Sequence, residues 1–193
     1  MDTNSSLRKP QDPVATASTR SSGLHPRIRP FRLVLVAVIS ALMLLVGPAA
    51  GDVSAHDLGN DSVDGSEIRY EDHTSWDTEM NHAISVWDAQ GCVNIAHDAW
   101  NTVTDLEFDD YTNSSTSTLA YWSARTGADL INFNNHWFNQ MSADERKKTA
   151  IHELGHALRF GHTTIANSVM RQGIIAQTSL GAHDISDYDS QWC

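Results

Sequence analysis

Residues 56–193 of this 193-residue chain predict one α+β domain. Three observations carry that expectation: apolar residues at helical spacing over Trp76–Ala89, short segments of strand character between Val93 and Phe133, and a capping box that opens a helix at Ser142.

Taken in order, His56 to about Tyr70 is polar and broken by Gly59, Asn60, Asp61 and Gly65, the composition of a flexible arm. Trp76, Met80, Ala83, Ile84 and Trp87 then fall on one helical face, and Gly91 ends that helix. Val93-Asn94-Ile95 reads as a short strand, and Thr104–Phe108 as another in which Leu106 and Phe108 alternate with acids. Asp109–Thr118 has loop composition. Leu119–Ser123 is apolar and aromatic, Thr126-Gly127 is a turn signal, and Asp129–Phe133 favours strand. Ser142 and Glu145 form the capping box of a helix running to about Leu158, with Ala150, Ile151, Leu154, Ala157 and Leu158 available for packing.

Ahead of this domain the chain changes character. Residues 1–30 are rich in Ser, Thr, Pro and Arg, a disordered basic leader. Within residues 31–55, Leu33–Val46 is an unbroken apolar run preceded by Arg27, Arg29 and Arg32, and small residues follow it. That order describes a secretory signal peptide, with cleavage after Ala55 or at Ala49 or Ala50. An uncleaved anchor is the competing reading, although the run is shorter than the roughly 20 residues that span a bilayer. Removing residues 1–55 takes six basic and three acidic residues from 13 and 24, leaving seven and 21, a net charge of −14. Such acidity disfavours nucleic acid and anionic lipid as partners and keeps an exported protein soluble. In an oxidising compartment the only two cysteines, Cys92 and Cys193, suggest one disulfide.

The chemistry concentrates in Ile151–Met170, IHELGHALRFGHTTIANSVM. His152, Glu153 and His156 form an H-E-x-x-H pattern, which places two imidazoles on one helical face and a general base beside them. A catalytic zinc takes three protein ligands, so a third donor is required. No glutamate follows Glu153, and His162 is the nearest candidate, with His183 and Asp184 as substitutes. On a straight helix His162 would lie roughly 15 Å from His152, so the chain must leave the helix after His156 and fold back.

His152, Glu153, His156, His162 and the later Met170 resemble the zinc site and Met-turn of the metzincin metalloproteases. HELGHAL and SVM are similar to the matrixin branch and its small bacterial relatives. The resemblance implies a small twisted mixed sheet, an active-site helix, a C-terminal subdomain closed by a Met-turn, and a C-terminal helix in the region of AHDISDYDSQW. It also implies a cleft-edging strand near Thr118–Trp122 that pairs with extended substrate. Metal ligands His152, His156 and His162, Glu153 as catalytic base, a zinc ion, and protein or peptide substrates for a secreted monomer follow from it. Three departures stand out. Arg159 occupies a position where the family has glycine in a left-handed turn, a conformation costing a non-glycine residue about 1–2 kcal/mol, so the turn is strained there or shifted to Gly161. Gln172 stands where some members have tyrosine, and the leader lacks the cysteine with which matrixin propeptides block zinc.

Three functions compete: a zinc endopeptidase, a zinc-binding protein whose catalysis Arg159 has weakened, and a zinc hydrolase of smaller amides or esters. Tyr188 is a candidate oxyanion stabiliser. Asp105, Glu107, Asp109 and Asp110 are candidate calcium ligands, since hard cations choose carboxylate oxygens, though a solvated acidic edge has the same composition and the EF-hand spacing is missing.

Overall fold

Ile68 has neighbours of alternating charge, yet it is fully buried and anchors a strand where composition suggests an arm. The computed structural model describes residues 57–193, so the expected leader, signal segment and cleavage point lie outside the described residues. Strand β1 (Glu67–Asp72) pairs in parallel with β2 (Asn94–His97) on one side and β3 (Leu106–Tyr111) on the other. β3 pairs in parallel with β5 (Asp129–Asn134), and β4 (Ala120–Ser123) lies antiparallel to β5 at the sheet edge. The order β2-β1-β3-β5-β4 makes a mixed five-stranded sheet, and with its helices the domain is α+β as expected.

The expected arm is corrected in two ways. Its second half is β1, an interior strand whose polar face hides it, because only Ile68 among its residues is buried. Its first half is docked: the Leu58 N–H donates to the Arg159 carbonyl at 2.8 Å, and that of Ser62 to the Ala157 carbonyl at 2.8 Å. β3 also runs three residues past Phe108, because its register with β5 continues to Tyr111↔Asn134.

Among the described residues four helices complete the domain: α1 (Asp77–Asp88), the single turn α2 (Asn135–Phe138), α3 (Ala143–Ala157) and α4 (Ala182–Trp192). Both arms of the capping box at the start of α3 form: the Glu145 N–H donates to Ser142 Oγ, and the Ser142 N–H donates to Glu145 Oε2 at 2.8 Å. Buried Trp87 on α1 donates its indole N–H to the Ile151 carbonyl of α3 at 2.9 Å, so a large apolar side chain meets the core without an unpaired polar atom. Arg146 of α3 pairs with Glu79 of α1 at 2.7 Å. Cys92 and Cys193 are bridged, with Cα atoms 5.6 Å apart, which ties the end of α4 to the segment between α1 and β2.

Candidate metal centre

Helix α3 carries His152 and His156 four residues apart, and both are buried. His152 Nδ1 lies 2.7 Å from the Val169 carbonyl and His156 Nδ1 lies 2.7 Å from the Phe160 carbonyl. A carbonyl only accepts, so each Nδ1 carries the proton and each Nε2 presents a lone pair. Burial holds both imidazoles neutral: it depresses His152 far below the ordinary histidine range and His156 to about 4.

The third imidazole arrives because the helix stops. Arg159 adopts a left-handed backbone with φ 79°, and the chain doubles back to place exposed His162 against the other two. Of the two alternatives for this turn, the strained one holds, and no shift to Gly161 occurs. Arg159 is held by its own side chain, which meets Asp57 at 2.6 Å and Asp61 at 3.2 Å and fastens the N-terminal segment to the turn. These contacts exist only because the residue is not glycine.

His156 Nε2 and His162 Nε2 are 3.2 Å apart, and the ligand atoms of all three histidines lie within 4.8 Å of one another. A tetrahedral shell with bonds of about 2.0–2.1 Å has ligand edges of roughly 3.3 Å, which the His156–His162 edge already matches, while the widest edge would close by up to about 1.5 Å around an ion. Lone pairs converging at this spacing favour a cation between them. Among the described residues this is the one group of three or more His, Cys, Asp and Glu side chains placed to hold a metal ion.

Glu153 faces the same cleft from within the protein. Burial pushes its carboxyl up to about 7, against the opposing pull of the Trp122 N–H and of Lys148. The Trp122 N–H, on edge strand β4, donates to Glu153 Oε2 at 2.9 Å and fixes the carboxylate. The cleft has an open volume of about 400 Å³ between β4, α3 and Gln172-Gly173.

Beneath the helix, Gly155 has a reason that the sequence pattern leaves open. A Cβ there would sit 2.3 Å from Met170 Sδ and 3.2 Å from a Trp87 ring carbon. Met170 therefore packs against α3 at Gly155, the residue before His156. Gly155→Ala is expected to destabilise the domain by about 1–3 kcal/mol through overpacking, although alanine is the better helix former by about 1 kcal/mol. Urea unfolding checks this, and in a Met170→Ala background the cost of Gly155→Ala should fall by at least half.

Several candidates are spent elsewhere. Tyr188 is fully buried, and its hydroxyl accepts the N–H groups of Cys92 and Val93 at 3.2 and 2.8 Å, so it does not reach the cleft. Asp184 is no ligand either: it accepts from Ser168 Oγ, from the Val169 N–H at 3.0 Å and from the Gly181 N–H at 2.7 Å. It holds the turn whose Val169 carbonyl orients His152, a supporting role that sequence reasoning missed and that only its place at the start of α4 hinted at. Asp105, Glu107, Asp109 and Asp110 are not brought together. Asp105 accepts the Arg69 N–H at 2.7 Å, Glu107 lies 3.7 Å from Arg125, and Asp110 is occupied by Thr74 and Ser75 at the approach to α1.

An α+β domain in which three histidines that could hold a metal ion converge beside a buried glutamate is thus what the coordinates define. No family model matches the chain, and no curated protein matches it. One solved structure with a similar outline is titled "GM1 bound form of the ECX AB5 holotoxin", at 16% identity and a TM-score of 0.46, covering 63% of this chain and 78% of that chain. That likeness is too slight to carry an argument about function.

Proposed function

We propose that the chain is an exported, zinc-dependent endopeptidase of the metzincin type, matrixin-like, acting as a monomer on protein or peptide substrates. The observation that carries the proposal is the convergence of three neutral imidazoles next to Glu153, in a cleft bordered by an edge strand. In this reading the turn bearing Met170 is the Met-turn, and β4 is the strand along which substrate lies. Among the described residues β4 has a sheet partner on one side only, which leaves backbone groups for an extended peptide.

His152, His156 and His162 would hold a zinc ion, which when bound would supply a Lewis acid and lower the pKa of a water. The residues do the rest. Val169 and Phe160 hold the Nδ1 protons, so that the Nε2 lone pairs stay available. Glu153, with an affinity for protons near neutrality, takes one from the attacking water and returns it to the leaving amine. The Trp122 N–H keeps that carboxylate aimed while the exchange occurs.

The weakened-catalysis reading drew on Arg159, and the turn at that residue still delivers His162 to the triad. Incubation with a denatured protein substrate tests the proposal. Zinc-loaded protein should cut within the substrate chain, lose the activity on chelation and regain it with zinc. Turnover confined to small amides or esters would replace the endopeptidase with a different hydrolase, and one bound zinc without any turnover would leave a binding protein.

A further inference from the structure

Lys148 is the buried charged group in the cleft that the proposed reaction leaves unused. It lies one helical turn before His152 and lines the same cleft as Glu153 and the histidines, yet it is only 3% exposed. Lysine is among the residues least often buried unless paired. Here Nζ donates to the carbonyls of Arg171 at 2.5 Å and Gly173 at 3.5 Å, and both partners are neutral. An ammonium has three hydrogens, so one remains for a further acceptor. Among the described residues no carboxylate lies within 4.0 Å of Nζ, while Glu153 and Asp184 attract it from further away. Burial lowers its pKa to about 8, which leaves it charged at neutral pH.

We infer that Lys148 determines specificity: its ammonium, on the wall of the cleft beside the metal ligands, selects peptides that carry a carboxylate next to the scissile bond. The inference rests on the endopeptidase reading for its substrate. Two sources share that chemistry, an Asp or Glu side chain within the peptide and a free C-terminal carboxylate. The chain as a whole carries a net charge of −11 and repels acidic molecules at long range, so the preference comes from the contact and not from steering.

The test compares matched fluorogenic peptides that differ only by Glu or Gln at positions on either side of the cleaved bond, each with a free or an amidated C-terminus. Zinc-loaded wild-type protein should favour Glu over Gln at one position by about tenfold or more in kcat/KM, the scale of a hydrogen bond to a charged group. Amidation should leave that ratio unchanged if the carboxylate is a side chain and remove the advantage of the free end if it is the terminus. Lys148→Met should bring the Glu/Gln ratio to about one, and Lys148→Arg should preserve it. A purely structural lysine would slow both peptides alike and leave the ratio where it was. A wild-type protein indifferent to Glu and Gln and to amidation, or a preference that survives in Lys148→Met, overturns the inference. If Lys148→Met does not fold, the wild-type ratio and its retention in Lys148→Arg decide.

Calorimetric binding of the same peptides to the Glu153→Gln protein distinguishes the two possible failures. Tighter binding of the Glu peptide, with no cleavage by the wild type, would sink the endopeptidase and keep the carboxylate site. Equal binding of Glu and Gln peptides, free and amidated, would sink the site whatever the activity.

Discussion

Glu153→Gln is expected to cut peptide hydrolysis by about 10²–10⁴ while leaving the fold and the metal content unchanged, as the loss of a general base does. The substitution preserves shape, and the glutamine carbonyl still accepts the Trp122 N–H that now reaches Oε2. What it removes is the carboxylate's capacity to take up a proton and give it back. Burial already disfavours the ionised form of Glu153, so the neutral amide should leave thermal stability equal or raise it. Rates on a fluorogenic peptide, with zinc content measured on the same samples, check both halves. A Gln variant of full activity would assign the proton transfer elsewhere.

The second large effect is on stability. Cys92 and Cys193 are 101 residues apart in the chain, and closing a loop of that length restrains the unfolded state by about 4–5 kcal/mol on the chain-entropy account. The double substitution Cys92→Ala/Cys193→Ala should therefore lower the unfolding free energy by about 2–5 kcal/mol, measured in urea. The loss should also reach the metal site. Helix α4 carries Asp184, Asp184 holds Ser168 and Val169, and the Val169 carbonyl orients His152. Weaker zinc binding in the double variant would express that chain of contacts; unchanged affinity would show that the Trp192 indole, which donates to the Leu158 carbonyl at 3.1 Å, suffices to seat α4.

Those elements legible in the sequence are the ones whose signals are local. The capping box at Ser142 and Glu145, the apolar face of α1 and the strand at Asp129–Asn134 need only neighbouring residues to specify them. The His152, Glu153 and His156 spacing likewise places three groups on one helix before any tertiary contact exists. Strand β1 was hidden because its outward residues are charged and its partners come from 27 and more positions downstream in the chain. Helix α2 is one turn, too short for a period. The burial of Lys148 and the bonding of Asp184 depend on the backbone of residues 168–173, and no spacing within α3 or α4 announces it. Arg159 is a mixed case: the sequence marks a conformational conflict there, while the two aspartates that hold the side chain lie about a hundred residues away.

Elemental analysis of purified, folded protein after zinc exposure and removal of loosely bound metal tests the centre most directly. One zinc per chain in the wild type, lost in His152→Ala and His156→Ala and weakened in His162→Ala, is the predicted result. A folded wild-type protein without stoichiometric metal, or one whose zinc content ignores all three substitutions, would contradict it.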